Sequence, residues 1–208
     1  MKKLILPLVS LTMFLAPVKS NAQSLEAGTI IVDGYYGFGN LYNSVFKALA
    51  SASGSNVTTS SMGPLGIKGE YLLSSKVGFG LDLGYSSAKL SYTETYTDYD
   101  ANFNAVIKSY DYSLKTAKVG AMVTFNYHFV ESDKFDAYFT TGLGYGNRTF
   151  KETSTYSGYT PAKINSVFPI ASRIGFGMRY FFTQNIGANL GLGLGQGGLV
   201  NVGITGKF

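Results

Sequence analysis

From Ile30 to Phe208 the chain returns eight times to one pattern, apolar residues at every second position over about ten residues. A period of two is the signature of strand. The first three stripes are Ile30, Val32, Gly34, Tyr36, Phe38, then Leu65, Ile67, Gly69, Tyr71, Leu73, then Val77, Phe79, Leu81, Leu83, Tyr85. The remaining five begin at Ala117, Phe135, Ile170, Ile186 and Val200 and continue in the same alternation, the last of them ending on Phe208. The opposite faces carry Gly78, Gly80, Gly84, Gly142, Gly144, Gly175, Gly177, Gly187, Gly191, Gly193 and Gly203, together with most of the strand charges. A soluble sandwich also alternates, but its wet face carries polar side chains rather than glycine. Inward glycine makes room in a narrow lumen, and the sixteen Tyr and fifteen Phe suit the two interfaces of a membrane.

A five-residue stripe covers about nine residues, roughly 30 Å of strand, which a tilt near 40° projects to a height of about 23 Å. That height matches the apolar band of an outer membrane. The expected fold is therefore all-β, an eight-stranded antiparallel up-and-down transmembrane β-barrel. Its connections alternate in length. Ser74 to Lys76, Val130 to Lys134 and Thr183 to Asn185 are short and read as periplasmic turns. Asn40 to Pro64, Ser86 to Thr116 and Gly146 to Pro169 are long and polar and read as extracellular loops, with Gln196 to Gly198 a fourth, tight one.

The N-terminus places Lys2 and Lys3 before an apolar run from Leu4 to Ala16, followed by Ser20, Asn21 and Ala22. This reads as a signal peptide cut after Ala22, since the run is short of the roughly 20 residues of a membrane helix and Pro7 interrupts it. Residues 1–22 are then the leader and 23–208 the barrel domain. The formal charge of +5 includes Lys2, Lys3 and Lys19 of the leader and is +2 without these three. No basic stripe remains to bind nucleic acid. The absence of cysteine excludes disulfides, thiolate metal sites and a lipid-bearing cysteine.

The inward charges are Asp33, Lys68, Glu70, Asp82, Lys118, Asp136, Arg173, Arg179 and Lys207. A second hairpin closed by Leu73 and Val77 sets Lys68 directly opposite Asp82, and an ion pair across the lumen is expected there. Asp33, Glu70, Arg173 and Lys118 lie at comparable or higher levels and extend it to a network. Such a network reads either as a neutralised plug, because an eight-stranded lumen is filled by its own side chains, or as a gate whose pairs exchange. His128 and Asp136 form a second expected pair, near the periplasmic end; a structural hydrogen bond is favoured over a general base, since the register brings no Ser or Thr beside them. Gly193, Gly195 and Gly198 make a chance G-x-G-x-x-G, and a strand rather than a helix follows it. No P-loop, H-E-x-x-H or EF-hand spacing occurs, and no catalytic residue, metal or cofactor is expected.

Two loops carry further patterns. Tyr92, Tyr96, Tyr99, Tyr110 and Tyr112 partly alternate, so this hairpin is expected to project as a β-arm, with its tyrosines either ordinary strand residues or a contact surface for carbohydrate, lipopolysaccharide or protein. Leu41, Val45, Phe46 and Leu49 stand at helical spacing, which predicts a short amphipathic helix over the barrel mouth or on the outer leaflet, or a simply packed loop.

The leader, the eight stripes and the terminal Phe208 preceded by Ile204, Val202 and Val200 resemble the small outer-membrane β-barrel superfamily. The glycine-rich strands and Tyr-tipped hairpins resemble its "outer membrane protein β-barrel domain" group and the membrane domain of OmpA-like proteins. The resemblance implies that Val200, Val202, Ile204 and Phe208 form the signal for the barrel-assembly machinery; Gly206 departs from the pattern, where a larger apolar residue is commoner. With the chain stopping at Phe208, the periplasmic, peptidoglycan-binding domain of full OmpA-like proteins is expected to be missing. The expected partners are outer-membrane lipids and lipopolysaccharide, the assembly machinery during biogenesis, and an unspecified extracellular ligand. The first functional expectation is a non-enzymatic barrel that presents loops and supports the envelope. The second is a small porin-like channel for ions or small solutes, and the third a lipid-modifying barrel enzyme.

Overall fold

A computed structural model describes residues 25–53, 57–162 and 169–208. The expected leader, residues 1–22, lies outside them. Eight strands form one closed antiparallel ring in chain order: β1 (Ile30–Phe38), β2 (Val57–Ser74), β3 (Val77–Tyr99), β4 (Ala105–Glu131), β5 (Phe135–Ser154), β6 (Ile170–Phe181), β7 (Ile186–Gly195) and β8 (Val200–Lys207). The ring closes between β1 and β8, from Ile31 opposite Lys207 to Phe38 opposite Val200. Within the ring, closure leaves no strand edge unpaired, which a sheet in lipid requires. No helix among the described residues is long and apolar enough to cross a membrane.

The eight stripes point outward, as their periodicity requires. Ile67, Leu81, Leu83, Val119, Leu143, Leu194 and Ile204 each leave 60–69% of their surface uncovered. Meanwhile Asp33, Glu70, Asp82, Asn126, His128, Asp136 and Arg179 are buried inside the ring. Apolar outside and charged inside inverts the order of a water-soluble protein, and the exterior belt is the part only lipid can cover. A small apolar cluster of Leu25, Ile31 and Leu72 sits inside the short-turn end.

The other end departs from the expected loops. β3 and β4 stay paired from Val77 opposite Tyr127 to Tyr99 opposite Ala105, and β5 follows β4 out to Ser154 opposite Tyr112. β2 likewise pairs with β3 out to Val57 opposite Tyr92. The end of Asn40–Pro64, most of Ser86–Thr116 and the first part of Gly146–Pro169 are therefore strand: an arm of four strands at its base that narrows to the β3–β4 hairpin, as the tyrosine alternation implied for that hairpin. Their Ser, Thr and Lys residues alternate too, without the apolar stripe that marks a lipid-facing strand.

The first connection contains a helix, α1 (Leu41–Ser53). Asn40 caps it: its side-chain oxygen accepts from the Asn43 amide at 3.3 Å and its carbonyl from the Ser44 amide at 3.0 Å. The helix packs on β2 and β3 over the mouth. Of its expected apolar face only Phe46 is buried; Leu41, Val45 and Leu49 remain exposed. Tyr42 supplies the other anchor, its ring lying 3.6 Å beneath the Arg148 guanidinium and against Phe150.

Candidate functional site

The lumen is filled by two tiers of side chains. The lower tier, toward the short turns, centres on Arg179 of β6, which has no solvent exposure. Its Nε donates to Asp33 at 3.1 Å, its Nη2 to Asp33 and Glu70 at 2.7 Å each, and its Nη1 to Asp136 at 2.9 Å. One planar guanidinium thus ties together carboxylates from β1, β2 and β5, a use of its fixed fork that a lysine cannot copy. His128 of β4 completes the ring, with Nδ1 at 2.6 Å from Asp136 and Nε2 at 3.0 Å from Glu70. Each ring nitrogen faces a carboxylate oxygen, a geometry suited to the doubly protonated ring.

Lys68 enters from above. Its ammonium lies 3.4 Å from Asp33 and donates to the Tyr138 hydroxyl at 2.7 Å. Three carboxylates then meet Arg179, Lys68 and the imidazolium, so the buried charges balance, as buried charge must. Tyr138 is packed between them, its ring 4.3 Å from the Arg179 guanidinium carbon. Opposite it stands Gly177, where an added Cβ would lie 2.1 Å from the tyrosine ring. Glycine at this inward position is what lets the ring cross the lumen.

The upper tier belongs to Asp82. It accepts from the Tyr35 hydroxyl and from the Gln196 side-chain amide, both at 2.8 Å. Gln196 sits in the tight turn between β7 and β8, which Gly195, Gly197 and Gly198 make possible through positive φ. Its side chain folds back into the mouth over Gly84 and Gly120, where a Cβ would collide with it. Arg173 holds this turn from below by donating to the carbonyls of Gln196 and Gly198. Between the tiers the enclosed space is about 20 Å³, lined by Tyr35, Lys68, Asp82, Tyr138 and Arg173 among others, room for about one water.

Several expectations are corrected by this geometry. Lys68 is directly opposite Asp82 in register, yet they form no ion pair. Tyr35 and Gln196 satisfy Asp82, and the long lysine chain turns to the carboxylate-rich tier below. Arg173 and Lys118 do not join the ionic network; Lys118 donates to the Ile170 carbonyl at 3.0 Å. The hub is Arg179, which sequence reading placed inward but did not put in the network. His128 stands opposite Tyr138, not Asp136, because β4 runs on to Glu131, which is itself opposite Asp136, so the hairpin closes two residues later than Phe129 opposite Phe135 would have it. The irregularity between His128 and Val130 keeps His128 inward; the imidazole reaches Asp136 diagonally. The hairpin tyrosines also divide. Tyr92, Tyr96, Tyr110 and Tyr112 share one face of the arm, with Tyr92 and Tyr112 stacked at 5.2 Å, whereas Tyr99 falls on the other face near the tip. Tyr156 and Tyr159 from the segment after β5 cover that cluster.

At the C-terminus Val202, Ile204 and Phe208 point outward and exposed. Gly206, the departure noted in the sequence, lies beneath the Phe208 ring, whose atoms would stand 3.1 Å from an added Cβ.

No family model matches the chain, and no curated protein does. Among solved structures it is similar to OprG from Pseudomonas aeruginosa, at 14% identity over 90% of this chain and 99% of that one, with a TM-score of 0.48. It is also similar to the outer membrane protein W of E. coli, at 12% identity over 88% and 99% with a TM-score of 0.42. The N-terminal β-barrel domain of P. aeruginosa OprF gives 15% identity, 89% and 100% coverage and a TM-score of 0.43. Strand register and closure, rather than these likenesses, carry the fold.

Proposed function

We propose that the protein is a non-enzymatic outer-membrane barrel, closed to flow, whose work is done by the elements it holds beyond the membrane. The observation that supports this most strongly is the lumen itself: Arg179 bridges three carboxylates across it and leaves about 20 Å³ of enclosed space above. A conduit needs a continuous gap. The same geometry argues against a general base at His128, since both its ring nitrogens are taken by carboxylates and neither is free to accept a proton from a nucleophile. On this reading the short turns face the periplasm, and the arm and α1 face outward. The partners are the lipids around the belt, the assembly machinery recognising Val200, Val202, Ile204 and Phe208, and a ligand of the arm.

Single-channel recording of the folded barrel in a planar bilayer tests the closed lumen. The expected result is silence from a sample shown to be folded by its heat-dependent electrophoretic mobility. Reproducible conductance steps from such a sample would overturn the reading in favour of a small channel.

A further inference from the structure

Lys89 of β3, Lys115 of β4 and Lys151 of β5 stand directly opposite one another in register, Lys89 against Lys115 and Lys115 against Lys151. All three occupy odd positions on strands whose odd positions form the lipid face, so they project from the outside of the barrel, and all three are exposed. Neighbouring strands are about 4.8 Å apart, which gathers three ammonium groups within roughly 10 Å. Like charges placed directly opposite destabilise a sheet, and no described residue offsets them here. None of the three makes an ion pair with a described residue. The groove around them, about 470 Å³, is otherwise lined by Ser, Thr and Met and contains no carboxylate. On this face the nearest acid along β4, Asp111, accepts instead from the Thr93 hydroxyl at 2.7 Å.

The height of the row identifies what it meets. On β3 the outward sequence runs Leu83, Tyr85, Ser87, Lys89, so the lysine lies four residues, or about 10 Å after tilt, above the tyrosine that ends the apolar belt. That is the depth of lipid headgroups, continuous with the surface the bilayer already covers. We infer that Lys89, Lys115 and Lys151 form a binding site for the phosphoryl groups of an outer-leaflet lipid. The Ser60 hydroxyl, and whichever of Ser113 and Thr153 accepts in the 2.8 Å bond they share, supply further donors to the phosphate oxygens. This inference rests on the membrane placement proposed above.

The test uses the full barrel in neutral detergent micelles, with native mass spectrometry reading the retention of diphosphoryl lipid A, its monophosphoryl form and a dephosphorylated form. Retention is expected to fall with each phosphate removed and with added salt. The triple variant K89Q/K115Q/K151Q should reduce retention of the diphosphoryl form about tenfold or more, whereas a control that removes one exposed charge elsewhere, K108Q, should not. Equal retention by the triple variant, or equal retention of the dephosphorylated lipid, overturns the site. Inositol hexakisphosphate supplies the soluble arm: if it displaces lipid A at equal phosphate concentration, the anion is a free one and the lipid assignment fails. Heat-dependent mobility and insertion into phosphatidylcholine vesicles are read separately. A barrel that inserts normally but ignores the phosphates defeats only the lysine site, while one that does not insert defeats the membrane reading on which it rests.

Discussion

The half of the barrel near the short turns and the arm beyond the opposite rim share the strands β3, β4 and β5, yet they stabilise themselves in opposite ways. Inside the ring, the inward positions of these strands carry His128, Asp136 and Tyr138, sealed from water and locked to Arg179 across the lumen. On the arm the same face carries Tyr92 stacked on Tyr112, and Tyr110 against Tyr96 and Tyr156, with Tyr92, Tyr110 and Tyr112 all partly wet. Ion pairs follow the same division. Asp98 and Lys108 on the arm are each about half exposed, a pair of the kind that contributes little. Identical backbone geometry thus gives a stiff, charge-locked body and a lightly held projection, and only the enclosure differs.

The strongest way to break that contrast is to remove the lock. Arg179→Met leaves Asp33, Glu70 and Asp136 without their shared cation, and stranding buried charge costs on the order of 3 to 5 kcal/mol. The expected outcome is a large fall in the urea midpoint of the barrel in detergent, or failure to fold. An unchanged midpoint would mean that the network is dispensable and that packing alone holds the body.

The two tiers separate under a milder change. Asp33→Asn removes a carboxylate that meets both Arg179 and Lys68, whereas Asp82→Asn keeps an acceptor for Tyr35 and Gln196 and breaks no ion pair. Asp82→Asn is therefore expected to cost about 1 kcal/mol, near the worth of one hydrogen bond, and Asp33→Asn several times as much. Unfolding curves for the two variants in one detergent decide it. Equal losses would restore an ionic role to Asp82.

That distinction also marks how far the sequence was legible. Period-two stripes and turn lengths place every strand, its face and its neighbour, because each depends on local alternation and on short connections. The register of Lys68 against Asp82 was readable for the same reason. Whether opposite residues pair was not, because the choice of Lys68 depends on Arg179, which belongs to β6 and reaches Asp33 on β1 across the closed lumen. No hairpin rule links those strands. The closure of the third hairpin at Glu131 and the irregularity after His128 are equally silent in sequence; together they change the partner without changing the face. On the arm, alternating tyrosines make the β3–β4 hairpin legible, whereas over 57–64 and 146–154 Ser and Thr stand where apolar residues would, and these flanking strand ends read as loop.

At the far end of the comparison lies the tip of the arm, where no burial helps. Asp100 accepts from the Asn102 amide at 2.8 Å, the Asn104 amide at 2.9 Å and the Asn104 side chain at 3.1 Å, closing the turn between β3 and β4. These bonds, the Asn104 backbone first, hold its carboxyl below the usual aspartate value. Because the folded value is the lower one, the charged carboxylate favours the closed turn; its contribution is complete above the ordinary aspartate range near pH 4 and fades as pH falls through the folded value. Hydrogen exchange at the Asn102 and Asn104 amides should therefore show protection that declines on acidification once the intrinsic pH dependence of exchange is removed. Asp100→Asn keeps an acceptor oxygen without the charge, so it should retain part of the protection and abolish its pH dependence. Protection flat with pH in the unaltered protein would show that Asp100 does not govern the turn. Protection lost together across the arm and the barrel would show that the tip shares the stability of the charge-locked body, which the contrast between the two regions forbids.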